Sequence, residues 1–537
     1  MAVFANDHKV GISMSHHMYR LLTYLTLTGL GLALLILEVA ASPDASLSGT
    51  VAEADGSPVS GATVRIRAGE NVTTTDADGK FTLSGLDEGQ QVEVTAWADG
   101  YYTASALVTP SLTGLVLTLR PYHSIDNPDY EWAEPTICDS CHPMLTLQWT
   151  ANAHGVAVSN PRFFSLYNGT DLSGTAVVTP GYILDFPGTA GNCANCHAPG
   201  AGVDGFSTTD MNQVRGETSA GIHCDYCHKI GGVYINPATG SVYPNMPGTL
   251  SQRMLRPPTG EDIFFGPYDD IPDPDTYLAE MEQSLYCAPC HQFSFWGTPI
   301  YESYNEWLNS PYAEAGVTCQ TCHMPPNGDN YFALPEMDGL WHPAERIPSH
   351  LDLGLKDTAF MTGTIGITVT ADMIGNAVVV NVVLENVAAG HHVPTDHPGR
   401  HLILTVAALD GNGQPLPHIL GDTVPVWGGA QAGLPGKAFA KVLADALTGD
   451  FPVVSYWKQT FIVSDNRIPA LSSDSSMYSF IAPSGGSPVT VTAELRFRRS
   501  FEAEMEARGW DDADIVMAEE SLSILPGWEI YLPLIGW

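Results

Sequence analysis

Cys138-Asp139-Ser140-Cys141-His142 is the first of five strings of one form, and the reading of that form decides how the chain folds. The others are Cys193-Ala194-Asn195-Cys196-His197, Cys224-Asp225-Tyr226-Cys227-His228, Cys287-Ala288-Pro289-Cys290-His291 and Cys319-Gln320-Thr321-Cys322-His323. Together they use all 10 cysteines of the 537-residue chain. Two cysteines three apart lie on one side of a helical turn, where both thiols reach the vinyl groups of one porphyrin. The histidine that follows turns its imidazole to the iron. A disulfide framework does not require histidine after every second cysteine. Zinc sites pair one such unit with another, and five is odd. Thioredoxin-like pairs occur once per fold. The strings therefore predict five covalent haem c groups, with thioethers from Cys138, Cys141, Cys193, Cys196, Cys224, Cys227, Cys287, Cys290, Cys319 and Cys322. The proximal ligands are then His142, His197, His228, His291 and His323.

Haem density follows. Cys138 through His323 is 186 residues, roughly 37 for each haem, too few for five separate hydrophobic domains. The haems must supply the core, wrapped by short helices and long loops, and the Asn, Gly and Pro content of 155–280 agrees with that. Each iron needs a sixth ligand. Ten histidines lie outside the strings after residue 46: 123, 154, 223, 342, 350, 391, 392, 397, 401 and 418. His154, His223, His342, His350 and His391 are the expected distal ligands, with His392 the alternative to His391 and His123 in reserve. His397, His401 and His418 read as surface histidines.

Outside the strings the chain divides further. Residues 1–41 read as a signal peptide: Arg20, an uncharged apolar run Leu21–Leu37, then Val39-Ala40-Ala41. The rival reading is an uncleaved anchor. Residues 46–120 alternate as strands do in Ala62–Arg67 and Gln91–Ala96, with turns at Asp55-Gly56, Asp78-Gly79 and Asp99-Gly100. This predicts a β-sandwich, in which Asp76 and Asp78 serve turns rather than calcium. Residues 121–361 form the haem segment. Residues 362–497 alternate again, in Ile365–Thr370, Ala377–Leu384, Leu402–Val406 and Val489–Leu495, and predict a second β-sandwich. Residues 498–537 read as a helix over 500–522 and an apolar tail from Ile530 to Trp537. The fold class expected is multidomain: N-terminal β-sandwich, central pentahaem segment of short helices and loops, C-terminal β-sandwich.

Charge narrows the partners. Lys and Arg number 22 against 59 Asp and Glu, a net −37, so no basic face is available for nucleic acid. A membrane would be met only through an uncleaved signal segment.

Four resemblances add to this reading. Pro58–Val64, Thr74–Phe81 and Ala98–Tyr101 resemble the carboxypeptidase regulatory-like family, which implies a non-catalytic spacer or adhesion module. His142 to His154, with Trp149 between, resembles the opening haem segment of the tetrahaem cytochromes of ammonia oxidisers. Glu306–Tyr312 followed by Gly316–Pro325 is similar to a segment of many secreted multihaem cytochromes, and implies a distal ligand at a position like His350. Gly390–Thr395 with Arg400 and Gly433–Lys437 resembles a β-domain appended to several such cytochromes, and implies that the histidine after the glycine caps a haem.

Function follows from the haems. The first expectation is electron transfer outside the cytoplasm, in the periplasm, in the extracellular medium or at the cell surface. Its partners are other redox proteins or extracellular electron acceptors. A homo-oligomer or filament joined through His123 or His391 is a further expectation. The alternative is an oxidoreductase acting on a small nitrogen or sulfur compound at an open haem, with Tyr301, Tyr304 and His397 as neighbours. No Cys-x-x-Cys-Lys string is present to mark such a site.

Overall fold

Alternating apolar residues build the first pair of sheets. In the computed structural model, which describes residues 44–204, 209–484 and 486–525, the strand Asp44–Ala52 buries Leu47 and Val51. It pairs antiparallel with Lys80–Asp87 and parallel with Thr113–Thr118. The facing sheet runs Val72–Thr74, Thr63–Ile66, Val92–Trp97, Ala104–Val108. Gly49 is required where the strands come close, because a Cβ there would stand 2.2 Å from the Leu115 carbonyl oxygen. Asp76 accepts the amide N–H groups of Asp78 and Lys80 at 2.9 and 2.8 Å, so it serves the turn as the sequence suggested. The signal-peptide reading of 1–41 and the apolar tail from Ile530 lie outside the described residues.

The central segment is built of short helices, loops and two-stranded ribbons. Its longest helix is Pro143–Ala151, with Pro143 at the first position, where a missing N–H costs nothing. The next, Pro161–Asn168, is capped by Asn160, whose side chain accepts from Arg162 and Phe163. It ends at Gly169 in the left-handed conformation.

The C-terminal region is a sandwich of two four-stranded sheets. One is ordered Ile365–Ile374, Ala377–Asn386, Ser473–Ile481, His418–Leu420; the other Gly436–Phe439, His401–Asp410, Val489–Arg498, Ile515–Ile524. Val378, Val380, Val382 and Leu384 face Leu402, Leu404, Val491 and Leu495 in one core. The helix expected over 500–522 is confined to Glu502–Arg508, and Ile515–Ile524 is an edge strand antiparallel to Val489–Arg498. The sandwich therefore continues past residue 497. Mixed acidic and apolar residues suit an edge strand, which is half wet and guarded by its charges. Glu520 accepts the Val369 amide of the other sheet at 2.8 Å. Among the described residues no helix is long and apolar enough to cross a membrane.

Two buried arginines fasten this sandwich to the haem segment. Arg508, wholly buried, donates to the carbonyls of Ser165 and Thr170 at 2.7 and 3.1 Å. Arg467 pairs with Glu306 at 2.6 Å, their side chains 3% and 5% exposed.

Leu495→Ala, at the centre of the sandwich core, is expected to destabilise the protein by about 2–5 kcal/mol. The shift in denaturant midpoint at unchanged slope measures it.

Candidate haem centre

Every one of the five strings occupies one helical turn. The amide of the closing histidine bonds the carbonyl of the first cysteine at 2.8 Å in Cys138–His142, 2.9 Å in Cys193–His197 and Cys224–His228, and 3.1 Å in Cys287–His291. Cys319–His323 is itself a helix, capped by Thr318 with Thr321. In each turn both thiols share one side and the imidazole follows them, the arrangement that c-type attachment needs.

The fold then brings separate strings together. Cys138 of the first string lies near Cys224 of the third, Cys196 of the second near Cys290 of the fourth, and Cys287 of the fourth near Cys319 of the fifth. The Tyr286 hydroxyl donates to the Cys227 carbonyl at 2.7 Å, linking the third string to the fourth. The second, third and fourth strings wall one cavity of about 900 Å³, with Cys193, Cys196, Cys224, Cys227, Cys287 and Cys290 on its surface. That is the upper end of the volume range of small-molecule sites. The first and fifth strings adjoin it through Cys224 and Cys287.

The imidazoles are oriented by their Nδ1 atoms. His142 donates to the Phe332 carbonyl at 2.7 Å, His228 to Phe265 at 2.7 Å and His323 to Leu353 at 2.5 Å. His291 faces the Asp396 carboxylate at 3.4 Å. A histidine that ligates a metal through Nε2 normally donates its other N–H to a carbonyl or carboxylate in this way.

The expected distal histidines fall into two groups. His391 stands against His323 with ring centres 6.3 Å apart and planes within 14° of parallel. Two imidazoles bound end-on to one metal, at about 2 Å per bond and about 1 Å from nitrogen to ring centre, stand about 6 Å apart. The Nδ1 of His391 donates to the His392 carbonyl at 2.8 Å, leaving Nε2 bare. His154 donates from Nδ1 to Asp352 at 2.9 Å. His350 lines the cavity, its backbone held by Gln148 at 2.7 Å and Asn152 at 2.7 Å. These three sites suit a haem iron.

His342 and His223 are held differently. The Nε2 of His342 is 3.1 Å from Asp270, both side chains fully enclosed, while its Nδ1 is buried without a hydrogen-bond partner. His223 caps the helix Cys224–Cys227, its Nδ1 accepting the Tyr226 amide at 3.2 Å. That leaves the proton on Nε2. His223 also lines the cavity, where its Nε2 is buried without a hydrogen-bond partner. His123, paired with Glu261 at 3.0 Å, is exposed. His391 opposes a histidine of its own chain. His397 lines the cavity and His401 is fully buried between Trp427 and Phe501, so neither is the surface residue expected. Tyr304 is buried against Trp307, away from the cavity, its hydroxyl on the Gly240 carbonyl.

Two aspartates were not legible as site residues. Asp352 and Asp396 have φ of +46° and +60°, a left-handed conformation that costs a non-glycine residue energy and that Asp tolerates best. Asp352 accepts from His154 and from Asn152, Asp396 from His291 and Ser303. Burial by itself would raise the Asp396 carboxyl, but His291, Arg400 and Ser303 hold it well below the usual range. Asp396 also holds its neighbour in turn: burial disfavours a charged His291, yet the carboxylate raises it to about 9. Among the described residues, no group of three or more His, Cys, Asp and Glu is placed to hold a metal ion by itself.

Residues 46–119 match the carboxypeptidase regulatory-like domain, and residues 137–229 match cytochrome c554 and c-prime. The central segment is that of a multihaem c-type cytochrome. A penta-heme cytochrome c552 from Thermochromatium tepidum superposes on the chain with a TM-score of 0.54 at 20% identity. The match covers 73% of this chain and 99% of that one, and the likeness is one of fold. A PapD-like domain of human CEP192 (TM-score 0.12, 10% identity, 30% of this chain and 82% of that one) and a family 123 glycoside hydrolase from Clostridium perfringens (0.13, 9%, 30% and 27%) carry no argument. No curated protein matches the chain.

The cytochrome segment depends on one enclosed ion pair beside its third string. Lys229 donates to Asp225 at 2.7 Å with the side chains 0% and 1% exposed, and Asp225 also accepts from Tyr130 and from the Ala133 amide. Lys229→Met strands that carboxylate and is expected to cost about 3–5 kcal/mol. Adding Asp225→Asn should return much of the loss, and thermal unfolding of the two variants measures both.

Proposed function

We propose that this protein is a pentahaem electron carrier that works outside the cytoplasm. The observation that carries the reading is the packing of the strings: the second, third and fourth wall one cavity, and Cys138 lies near Cys224, Cys196 near Cys290 and Cys287 near Cys319. Haems held on these strings would lie close together and would supply one-electron transfer from one to the next. Each cysteine pair holds one haem c, and His142, His197, His228, His291 and His323 are its proximal ligands. His154, His350 and His391 are distal ligands, supported by the place of His154 and His350 on the cavity wall and by the near-parallel approach of His391 to His323.

The chemistry assigned to the polypeptide is to hold and tune. Backbone carbonyls fix the tautomer of His142, His228 and His323, and Asp396 gives His291 a more basic character. Haem supplies one-electron chemistry when bound. Thioether attachment keeps it on a protein with little core of its own, which suits a secreted carrier, and the signal-like residues 1–41 support export. Partners are redox proteins or acceptors that tolerate a strongly acidic surface.

Intact mass of the matured holoprotein should exceed the polypeptide by five haems; four or fewer would overturn the count. In ferric His391→Ala, one haem should turn from low-spin to high-spin in electron paramagnetic resonance while the others keep their signals. An unchanged spectrum would remove His391 from the ligands.

A further inference from the structure

The helix Pro143–Ala151, which leaves the first string, turns an apolar side to solvent. Its nine residues include no charged side chain. Thr146 is buried, and the Trp149 indole donates to the Ile222 carbonyl at 2.8 Å, so these two mark the inward side. At about 100° per residue, Met144, Leu147 and Ala151 lie opposite them. Met144 is 51% and Leu147 65% exposed. Thr150, also exposed, spends its hydroxyl on the Leu147 carbonyl at 2.8 Å. A surface helix normally gives its solvent side to charged and polar residues. The preceding helix, Pro135–Asp139, adjoins this one through the string and exposes Ile137 at 65%, immediately before Cys138. Single exposed apolar residues are ordinary. Three large ones on either side of one attachment string form a patch.

The rim of the patch is acidic. Residues 121–161 hold five Asp or Glu and no Lys or Arg, and residues 257–345 hold fifteen and none. Glu134 and Asp139 are exposed at the two ends of the helix Pro135–Asp139. The loop after Phe332 adds to them. Its Leu334 amide donates to the Cys141 carbonyl at 2.8 Å, and Glu336, Met337 and Asp338 beyond it are exposed. Lys356, at the far end of the helix Pro143–Ala151, is spent on the carbonyls of Ala151 and Asn152 at 3.2 and 3.1 Å.

An apolar centre with an acidic rim fits a partner whose own apolar contact is ringed by Lys or Arg. A second copy of the chain would bring the same acidic rim, and an anionic lipid surface would be repelled for the same reason. We propose that this face is the docking surface for a small basic redox protein, which exchanges single electrons with the haem on Cys138 and Cys141, one centre being oxidised as the other is reduced. The first string is then where electrons enter or leave the chain. The proposal rests on the electron-carrier reading.

The holoprotein is titrated at low ionic strength with ferric mitochondrial cytochrome c, a small basic haem protein, and the affinity is measured by calorimetry. Carbodiimide, which joins a lysine to a carboxylate, then fixes the complex for peptide mapping. Cross-links should fall on Glu134, Asp139 or Glu336, and binding should weaken steeply with salt. Met144→Gln combined with Leu147→Gln should weaken binding about tenfold, with five haems retained and the ferric spectrum unchanged. Glu134→Gln combined with Asp139→Asn should flatten the salt dependence. Cross-links confined to other parts of the chain, an affinity unaltered in both double variants, or no binding at all would overturn the docking surface. Loss of the first haem or a changed ferric spectrum in the Met144 and Leu147 variant would assign those side chains to packing against that haem and overturn it equally. If the complex forms on this face but ferrous holoprotein passes no electron to the ferric probe in stopped-flow mixing, the docking surface stands and the electron-carrier reading falls.

Discussion

Five attachment strings within 186 residues set the constraint that the rest of the structure answers, because the polypeptide between them is too short to form a core for each. Apolar side chains form one large core in the C-terminal sandwich and only small clusters between the strings, such as Trp132, Tyr226, Ile230 and Met254. Polar contacts to the sandwich add to these clusters. Arg508 reaches from the C-terminal helix to the carbonyls of Ser165 and Thr170. Trp457 donates to Asp185, and Trp296 to the Trp457 carbonyl. Buried groups of this kind are costly unless every partner is in place, so they specify one position of the sandwich rather than merely adding attraction.

The connection between the strands Ala377–Asn386 and His401–Asp410 is where the sandwich meets the haem centre. It carries His391 to His323, Asp396 to His291, and His397 and Arg400 to the cavity wall. Glu306, on the helix before the last string, receives this loop: it accepts from Thr395 at 2.6 Å and from the His392 amide at 3.2 Å, and pairs with Arg467. Asn386 fixes the His391 carbonyl from the other side. The β-domain is thus part of the site. A loop whose two ends are tied into facing sheets can hold an imidazole in register, which a free loop of the same length could not.

Cysteine pairs and their histidines were legible in the sequence because their chemistry is local. Spacing within one helical turn fixes the side on which the thiols lie, and no distant residue changes that. The strands of both sandwiches were legible for a similar reason, since a period of two is a property of the backbone. The edge strand Ile515–Ile524 was not: exposed on one side and charged, it shows no alternation clear enough to distinguish from a helix.

Distal ligands and their supports were decided only by tertiary structure. A histidine's fate depends on which atoms face its ring nitrogens, and those atoms come from far away in the chain: Leu353 for His323, Asp352 for His154, Asp270 against His342. His223, His342 and His397 look alike as single letters, yet one caps a helix, one faces a carboxylate and one packs against Tyr456. The sequence by itself determined how many haem-attachment strings the chain carries and where, because covalent chemistry needs only neighbours three residues apart. Which irons are closed by a second histidine was left to the fold, because coordination needs two groups brought to one point from opposite sides.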